Sequence, residues 1–236
     1  MKEKTRPKAK IVVIDDHPVL RDGLMQLLGS QPDLECTGTA DTTADARRLV
    51  TQSEPDLMIL DLRLKSGDTL DLIKSLRVEH PDLKVLVLSQ YDEMLFAERV
   101  MRAGASGYVM KENATDEILN AVRRVLAGDI YFSQRIGATF IRRSLEEKLA
   151  VSDIGVERLS DRELQVFQLI AASFSTRDIA EQFHLSVKTV ETHRENIKSK
   201  LGLENAAELN EFARTWAHEN LLPRLEPTTT TKPRRK

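Results

Sequence analysis

Acidic, hydroxyl and amino side chains follow short apolar runs in the first half of the chain. Asp15 and Asp16 follow IVVI, Asp61 follows LMIL, Ser89 follows VLVL, and Lys111 lies just beyond a fifth run. Clustered carboxylates repel one another unless a cation neutralises them, and the hard ion Mg²⁺ prefers oxygen ligands. A metal, a lysine and a hydroxyl at one site could support phosphoryl transfer to a carboxylate. Asp61 is the predicted nucleophile because it stands alone, whereas the acidic pair is suited to holding the metal.

Each of these residues has an alternative structural role. Aspartate and serine commonly form turns or cap helices in the loops that follow strands. For Asp16 or Ser89 alone, the turn or cap role is the preferred interpretation. The coincidence of suitable residues at four strand ends favours a shared site instead.

The elements that must bring these residues together alternate between strands and helices from residue 10 to about residue 128. The predicted strands are Ile11–Ile14, Leu34–Thr39, Leu57–Leu60, Val85–Leu88 and Ser106–Val109. Strands that are apolar throughout are typical of a parallel sheet covered on both faces. The sequence therefore predicts an α/β fold with a doubly wound, five-stranded parallel sheet, in which ligands bind at the carboxyl ends of the strands.

The second half of the chain, from Leu159 onwards, shows only helical periodicity. The predicted helices are Asp161–Ala172, Thr176–His184, Val187–Leu201 and Ala206–Asn220. The short break before Val187, with Ser186 as a good N-cap, is typical of a helix-turn-helix unit. The third of these helices carries basic, hydroxyl and acidic side chains on its polar face, which suits a major-groove reader. Taken alone, the same face also fits a solvated amphipathic helix.

The composition excludes several classes of protein. With 35 basic and 37 acidic residues among 236, the net charge of -2 excludes a polycationic nucleic-acid coat and an acidic solvating chain. A single cysteine, Cys36, excludes an intrachain disulfide framework and a multi-cysteine zinc site. The five histidines show no ligand spacing such as HExxH, so no metal role is predicted for them. No apolar run is long enough for a signal peptide or a membrane span, and a cytoplasmic location is expected.

The first half resembles the receiver domain of two-component response regulators. The resemblance rests on VIDDHPVLRDGL, LMILDLRL, VLVLSQYDE and GASGYVMKE. It implies a flavodoxin-like fold in which Asp61 is the phosphoacceptor, assisted by Lys111, with Ser89 and Tyr108 as switch residues. It also implies a Mg²⁺ site formed by Asp15, Asp16, Asp61 and the backbone carbonyl of Arg63. Tyr108 has the alternative role of a simple aromatic residue on an edge strand.

The second half is similar to the LuxR-type helix-turn-helix, and the whole chain to NarL/FixJ-type response regulators. The stretches LSDREL, STRDIAEQFHLS and VKTVETHRENIKSKLGL carry this resemblance. The residues that it directs towards base edges are Lys188, Glu191, Thr192 and Glu195, and the candidates for phosphate contacts are Thr189, Arg194, Lys198 and Lys200. Ser173 departs from the family, which often has glycine there, so it must adopt a helix-ending conformation.

The resemblance implies a division into four parts and a function. The predicted parts are a receiver domain (8–129), a linker with one helix (130–158), an all-α, four-helix DNA-binding domain (159–222) and a disordered basic tail (223–236). The expected function is transcription regulation, with phosphorylation of Asp61 by a sensor histidine kinase promoting domain release or homodimerisation and binding to a double-stranded DNA operator. Enzymatic activity is not expected beyond slow self-dephosphorylation. Gln90, larger than the residue that many receivers have there, is predicted to slow loss of the phosphoryl group.

Two other classes of protein remain open. A haloacid-dehalogenase-like phosphohydrolase also uses an aspartate and Mg²⁺, but it requires a DxD pair at the first strand, whereas here the two aspartates are adjacent. A protein–protein adaptor could keep the receiver without reading DNA. The basic residues of the third helix argue against an adaptor, and its two glutamates, Glu191 and Glu195, keep that alternative open.

Overall fold

The structure, a computed structural model, describes residues 7–64, 68–134, 136–137 and 155–220. Its N-terminal part contains a five-stranded sheet, all parallel, in the order β2-β1-β3-β4-β5. The strands are β1 (Ala9–Ile14), β2 (Leu34–Ala40), β3 (Leu57–Leu60), β4 (Lys84–Ser89) and β5 (Gly107–Met110). The predicted doubly wound sheet is confirmed, and β5 begins one residue later than its apolar pattern indicates.

Helices cover both faces of this sheet. They are α1 (Pro18–Gly29), α2 (Thr43–Ser53), α3 (Thr69–Glu79), α4 (Glu93–Ala103) and α5 (Ala114–Leu126). Alternate residues of each strand point to opposite faces. Ile11 and Val13 pack with α1 and α5, whereas Val12 and Ile14 belong to the core formed with α2, α3 and α4. The carboxyl ends of β1, β3 and β4 therefore meet at one edge, between two packed layers.

The C-terminal part is helical and consists of α6 (Asp161–Ala171), α7 (Thr176–Gln182), α8 (Val187–Leu201) and α9 (Ala206–Asn220). Ser186 caps α8, since its side chain accepts a hydrogen bond from the Thr189 backbone N–H. Ser173 has φ 65°, and His184 between α7 and α8 has φ 53°, so both turns use the left-handed region. The helix-ending conformation predicted for Ser173 is confirmed.

The segment that follows α5 is attached to the edge of the sheet. The Tyr131 backbone N–H donates to Ser106 O at 3.0 Å, and the Tyr108 N–H donates to Tyr131 O at 2.8 Å. Glu93, buried at the start of α4, accepts a hydrogen bond from the Ser133 backbone N–H at 2.9 Å. Tyr131 thus pairs with the outer edge of β5, and Ser133 fixes the segment to α4.

Part of the expected linker and tail cannot be compared with the structure. The helix predicted within 130–158 falls mostly outside the described residues, and so does the tail from residue 223. Among the helices of the described ranges, none is both long enough and apolar enough to cross a membrane.

Candidate functional site

Three aspartates meet at the carboxyl edge of the sheet. In the parallel pair β1–β3, Ile14 lies opposite Leu60, so the residues that follow these two are neighbours. Asp15 and Asp61 are each only 1% exposed. Ligand atoms of Asp15, Asp16, His17 and Asp61 all lie within 4.8 Å of one another. The structure therefore brings together the acidic residues that the sequence places after two different strands.

Lys111 supplies the positive charge of this pocket. It follows β5, and its Nζ donates a hydrogen bond to Asp61 Oδ2 at 2.6 Å. The same Nζ lies 2.8 Å from Asp15 Oδ2, an ion pair without hydrogen-bond geometry. The Arg63 backbone N–H donates to Asp61 Oδ1 at 3.0 Å, so this residue's peptide lies beside the same carboxylate. The ligand role predicted for the Arg63 carbonyl stays a prediction.

Burial controls the protonation of Asp61. Desolvation raises the pKa of its carboxyl group to about 6, although Lys111 and the Arg63 N–H act in the opposite direction. The neighbouring Asp15 raises this pKa further. A cation bound beside Asp61 would favour the ionised form, which is the form able to attack an electrophile.

The donor set fits a hard divalent cation. Asp15 Oδ2 and Asp16 Oδ1 are buried, and within the described part of the chain neither takes part in a hydrogen bond. Carboxylate oxygens are the ligands that Mg²⁺ and similar ions prefer. The pocket is therefore acidic and has the composition of a divalent-metal site.

His17 belongs to this pocket, although the spacing of the histidines predicts no metal role for it. Its backbone N–H donates to Asp15 Oδ1 at 2.8 Å, and its Nδ1 lies 2.8 Å from Asp16 Oδ1. Arg63 Nη2 lies 3.2 Å from His17 Nε2 on the other side of the ring. The available signal was its position directly after the acidic pair, because histidine spacing alone does not reveal a mixed cluster.

Ser89 and Tyr108 lie together in a buried network beside the pocket. Ser89 Oγ is fully buried and accepts a hydrogen bond from the Tyr91 backbone N–H at 3.2 Å. The Tyr108 hydroxyl donates to Tyr91 O at 2.6 Å, and the Tyr108 side chain is only 1% exposed. Tyr108 is therefore held inside the fold, even though β5 is the last strand of the sheet.

Tyr91 connects this network to α4. Its ring is stacked on Phe96 with a centroid distance of 5.0 Å, and its own hydroxyl oxygen is buried with no hydrogen-bond partner among the described residues. Sequence reasoning missed Tyr91. Its position two residues after Ser89 was the available signal, but an aromatic residue in a loop has no distinctive spacing.

The α8 surface separates the predicted DNA contacts into two groups. Lys188, Glu191, Thr192 and Glu195 are exposed, on the side opposite the buried Val190 and Ile197. The other four predicted residues make contacts within the helical part: Arg194 with Asn210, Lys198 with Glu195, Lys200 with Glu163, and Thr189 with Ser186. The base-facing group is thus exposed, with Glu195 paired to Lys198, while each member of the group predicted to contact phosphates makes a contact within the helical part.

The two parts of the chain contact each other next to the acidic pocket. Arg99 on α4 forms an ion pair with Asp161 at the start of α6, with 2.7 Å between Nη1 and Oδ1. A cleft of about 370 Å³ is lined by Asp16 and Arg63 from one part, and by Arg162 and His184 from the other. The helical part therefore lies over the edge of the sheet that carries Asp61.

Comparisons with known families match both parts of the chain. Residues 11–123 match the family described as "Response regulator receiver domain". Residues 157–213 match the family described as "Bacterial regulatory proteins, luxR family".

Similar proteins cover most of the chain. The oxygen regulatory protein NreC of Staphylococcus carnosus is 36% identical over an alignment of 209 residues, and the match covers 86% of this chain and 96% of that protein. A LuxR-family two-component response regulator from Aurantimonas is 28% identical with a TM-score of 0.55, covering 59% of this chain and all of that one (100%). The structure of RcsB from Salmonella enterica serovar Typhimurium, bound to a promoter in the presence of a phosphomimetic, has a TM-score of 0.57 at 24% identity. The match covers 89% of this chain and 100% of that one, and it shows a similarity of fold.

Proposed function

This chain belongs to the response regulators that join a receiver domain to a LuxR-type DNA-binding domain, and from that premise we propose that Asp61 is the phosphoacceptor that switches its DNA binding. The observation that carries the proposal is the buried Asp61 carboxylate, hydrogen-bonded to Lys111 and adjacent to the acidic pair. In this arrangement an Asp61 oxygen would attack as it exchanges its present hydrogen bond for the phosphorus, while cationic groups neutralise the transferred charge.

The proposed reaction is transfer from a phosphohistidine of a sensor kinase. An Asp61 oxygen forms the new bond to phosphorus while the bond between phosphorus and the imidazole nitrogen breaks, and the histidine leaves. Lys111, which pairs with Asp61 in this structure, would turn its ammonium group towards the phosphoryl oxygens. The protein then accepts a phosphoryl group and does not turn over continuously as a catalyst. Hydrolysis of the phosphoryl group on Asp61 is slow.

Mg²⁺ is the proposed metal of the pocket. Asp15, Asp16 and Asp61, with the Arg63 carbonyl, would hold it, because one oxygen of each member of the acidic pair, Asp15 Oδ2 and Asp16 Oδ1, is buried and receives no hydrogen bond from the described residues. When bound, the ion supplies charge neutralisation for the phosphoryl oxygens. His17, whose Nδ1 lies beside both members of the acidic pair, would then give up that contact.

The route from the site to the domain contact runs through α4. A phosphoryl group adds a charge of about -2 and strong acceptor oxygens. Ser89 would donate to one of these oxygens and so alter its hydrogen bond with Tyr91, whose carbonyl oxygen accepts from the Tyr108 hydroxyl. Tyr91 is stacked on Phe96, which lies three residues before Arg99 on the same helix. We propose that this chain of contacts biases the Arg99–Asp161 ion pair between closed and open arrangements.

The domain contact and DNA compete for the same part of the helix-turn-helix. Gln182 at the end of α7, and His184 and Leu185 in the turn before α8, line the interdomain cleft. In helix-turn-helix complexes the second helix enters the major groove and the first crosses the DNA backbone, so this turn must approach the duplex. Release of the receiver would therefore favour binding, although the outer face of α8 is already exposed.

Positive charge on α8 is sparse, which favours binding as a homodimer. Lys198 and Lys200 are paired with glutamates, and Lys188 is the exposed lysine of the base-facing group. Few phosphate contacts imply weak binding by one copy, and two linked copies on adjacent half-sites recover affinity. A second copy of this chain is thus the proposed partner on DNA.

An apolar groove beside the acceptor site is the proposed docking surface for the kinase. Its volume is about 620 Å³, and its lining includes Val19 and Leu24 of α1 together with Gln90 and Lys111. Val19 is 87% exposed. The donor histidine must reach Asp61, and Lys111 belongs to both the groove and the acceptor pocket. A helix of the kinase that carries the histidine fits this position.

The Val19→Asp variant tests the docking surface. Phosphotransfer from a histidine kinase that phosphorylates the unsubstituted protein should slow at least about tenfold, a loss of about 1.4 kcal/mol of docking energy. Phosphorylation by acetyl phosphate should be unchanged, because a small donor needs no docking. The matched control is Val78→Asp, on α3, since Val78 is similarly exposed at 83%. Equal slowing with both donors would show that the groove is not a docking surface.

A gel shift tests the function as a whole. The full chain is incubated with genomic fragments at low salt, with and without beryllofluoride or acetyl phosphate, beside Asp61→Ala. We expect the phosphorylated or beryllofluoride-treated protein to bind more tightly, and Asp61→Ala to show no response. Absence of DNA binding in every state would refute the proposed function, whereas binding that ignores Asp61 would refute only the switch.

A further inference from the structure

Glu191 stands out on the outer face of α8. With one residue per 100° of turn, Lys188, Glu191, Thr192 and Glu195 share one side of the helix, opposite Val190. This is the side that the DNA-binding proposal directs into the major groove. Glu191 is exposed, and among the residues that the structure describes it forms neither an ion pair nor a hydrogen bond.

The neighbouring side chains are arranged differently. Glu195 Oε2 lies 2.9 Å from Lys198 Nζ, so its charge is compensated within the helix. The Thr192 hydroxyl donates to the Lys188 carbonyl oxygen at 3.0 Å and is held close to the backbone. Glu191 therefore carries the uncompensated carboxylate of this face.

An uncompensated carboxylate is costly in a DNA groove. Phosphates on both strands repel it, and desolvation without a hydrogen-bond donor adds a further penalty. The penalty is relieved only where a base presents a donor to the carboxylate. Guanine and thymine present acceptors at the corresponding major-groove positions, and adenine places an acceptor directly beside its amino group. Cytosine presents its 4-amino group without such an acceptor, so it is the base that suits Glu191.

We propose that Glu191 is a specificity residue that accepts a hydrogen bond from the 4-amino group of a cytosine in each half-site. This inference rests on the proposed DNA-binding function and names the base that one residue reads. Glu191 acts mainly by exclusion, because it repels the other three bases more than it attracts cytosine. Its removal should therefore broaden the range of bound sequences and leave non-specific affinity equal or higher.

The first experiment is selection of binding sites from random DNA. The full chain, activated with beryllofluoride, is compared with Glu191→Gln and with the control Glu211→Gln. Glu211 is an exposed glutamate on α9, outside α8. We expect one cytosine position per half-site in the unsubstituted protein and in the control, and loss of that preference in Glu191→Gln.

The second experiment removes only the group that Glu191 is proposed to read. In the selected operator the cytosine is replaced by 2-pyrimidinone, which lacks the 4-amino group. The unsubstituted protein should lose affinity by about fivefold or more, whereas Glu191→Ala should bind both operators equally. Equal losses in the two proteins, or a cytosine preference that survives in Glu191→Gln, would overturn the inference while leaving DNA binding intact. Failure of the unsubstituted protein to select any sequence would instead refute the proposed function and this inference with it.

Discussion

The Arg99–Asp161 ion pair gives the sharpest prediction about domain closure. It links α4 of the receiver to the start of α6, and the two side chains keep 21% and 27% of their exposure. Exposed ion pairs contribute about 0–1 kcal/mol, and breaking a fully buried pair costs about 3–5 kcal/mol. For this partly buried pair we expect a contribution of about 1 kcal/mol to the free energy of domain closure. This corresponds to a change of about fivefold in the ratio of closed to open molecules.

The perturbation is Arg99→Ala. In the unphosphorylated protein, affinity for an operator should rise about fivefold, because the apparent dissociation constant depends on the fraction of open molecules. In the phosphorylated protein, which the proposed switch holds open, affinity should not change. The matched control is Arg48→Ala, which breaks an exposed ion pair with Asp45 on α2, away from the contact.

Two measurements check this prediction. Fluorescence anisotropy with a labelled operator gives the affinity in each state. The intrinsic fluorescence of Trp216 reports opening directly, because it is the single tryptophan and lines the groove between α4 and the helical part. Equal gains in both phosphorylation states, or an unchanged Trp216 signal, would refute the reasoning that this pair holds the closed form.

Three further predictions concern the site and the stability of the helical part. Gln90→Ala should shorten the lifetime of the phosphorylated form severalfold, measured by loss of radiolabel; an unchanged lifetime would show that Gln90 does not shield the phosphoryl group. Asp16→Asn should weaken divalent-ion binding at least about tenfold in calorimetric titration, and undiminished affinity would remove Asp16 from the metal site. Burial alone would raise the pKa of Glu163, but Lys200 and Ser160 outweigh it and hold this pKa below its usual value. Glu163→Gln should therefore lower the free energy of unfolding by about 1–3 kcal/mol at neutral pH, a difference that should shrink as acid protonates the native glutamate in urea titrations.

The layout of the site could be predicted from the sequence because it depends on strand ends. The apolar runs IVVI and LMIL define buried parallel strands, and parallel strands deliver the residues after them to one edge. Asp15, Asp61 and Lys111 therefore meet as expected. The pattern could not set the first residue of β5, since Gly107 lies between a serine and a tyrosine that fit either register.

The hydrophobic periodicity of the sequence does not predict contacts between distant segments. Lys200 pairs with Glu163, 37 residues earlier in the chain, and a helical face alone does not reveal such a partner. The Arg99–Asp161 contact is of the same kind, since each side chain reads as an ordinary exposed charge within its own helix. These pairs depend on how helices pack, which the local sequence does not encode.

The attachment of Tyr131 to β5 has a practical consequence for dividing the protein. Cutting the chain at residue 129 would leave the Tyr108 N–H and the Ser106 carbonyl without the partners that Tyr131 provides. An unpaired strand edge is a template for pairing with another molecule, so such a fragment would be prone to self-association. An isolated receiver extended through Ser133 would keep this edge closed and retain the anchor to Glu93. Tyr131 thus protects the open edge of the sheet from pairing with other molecules, and it also belongs to the start of the linker.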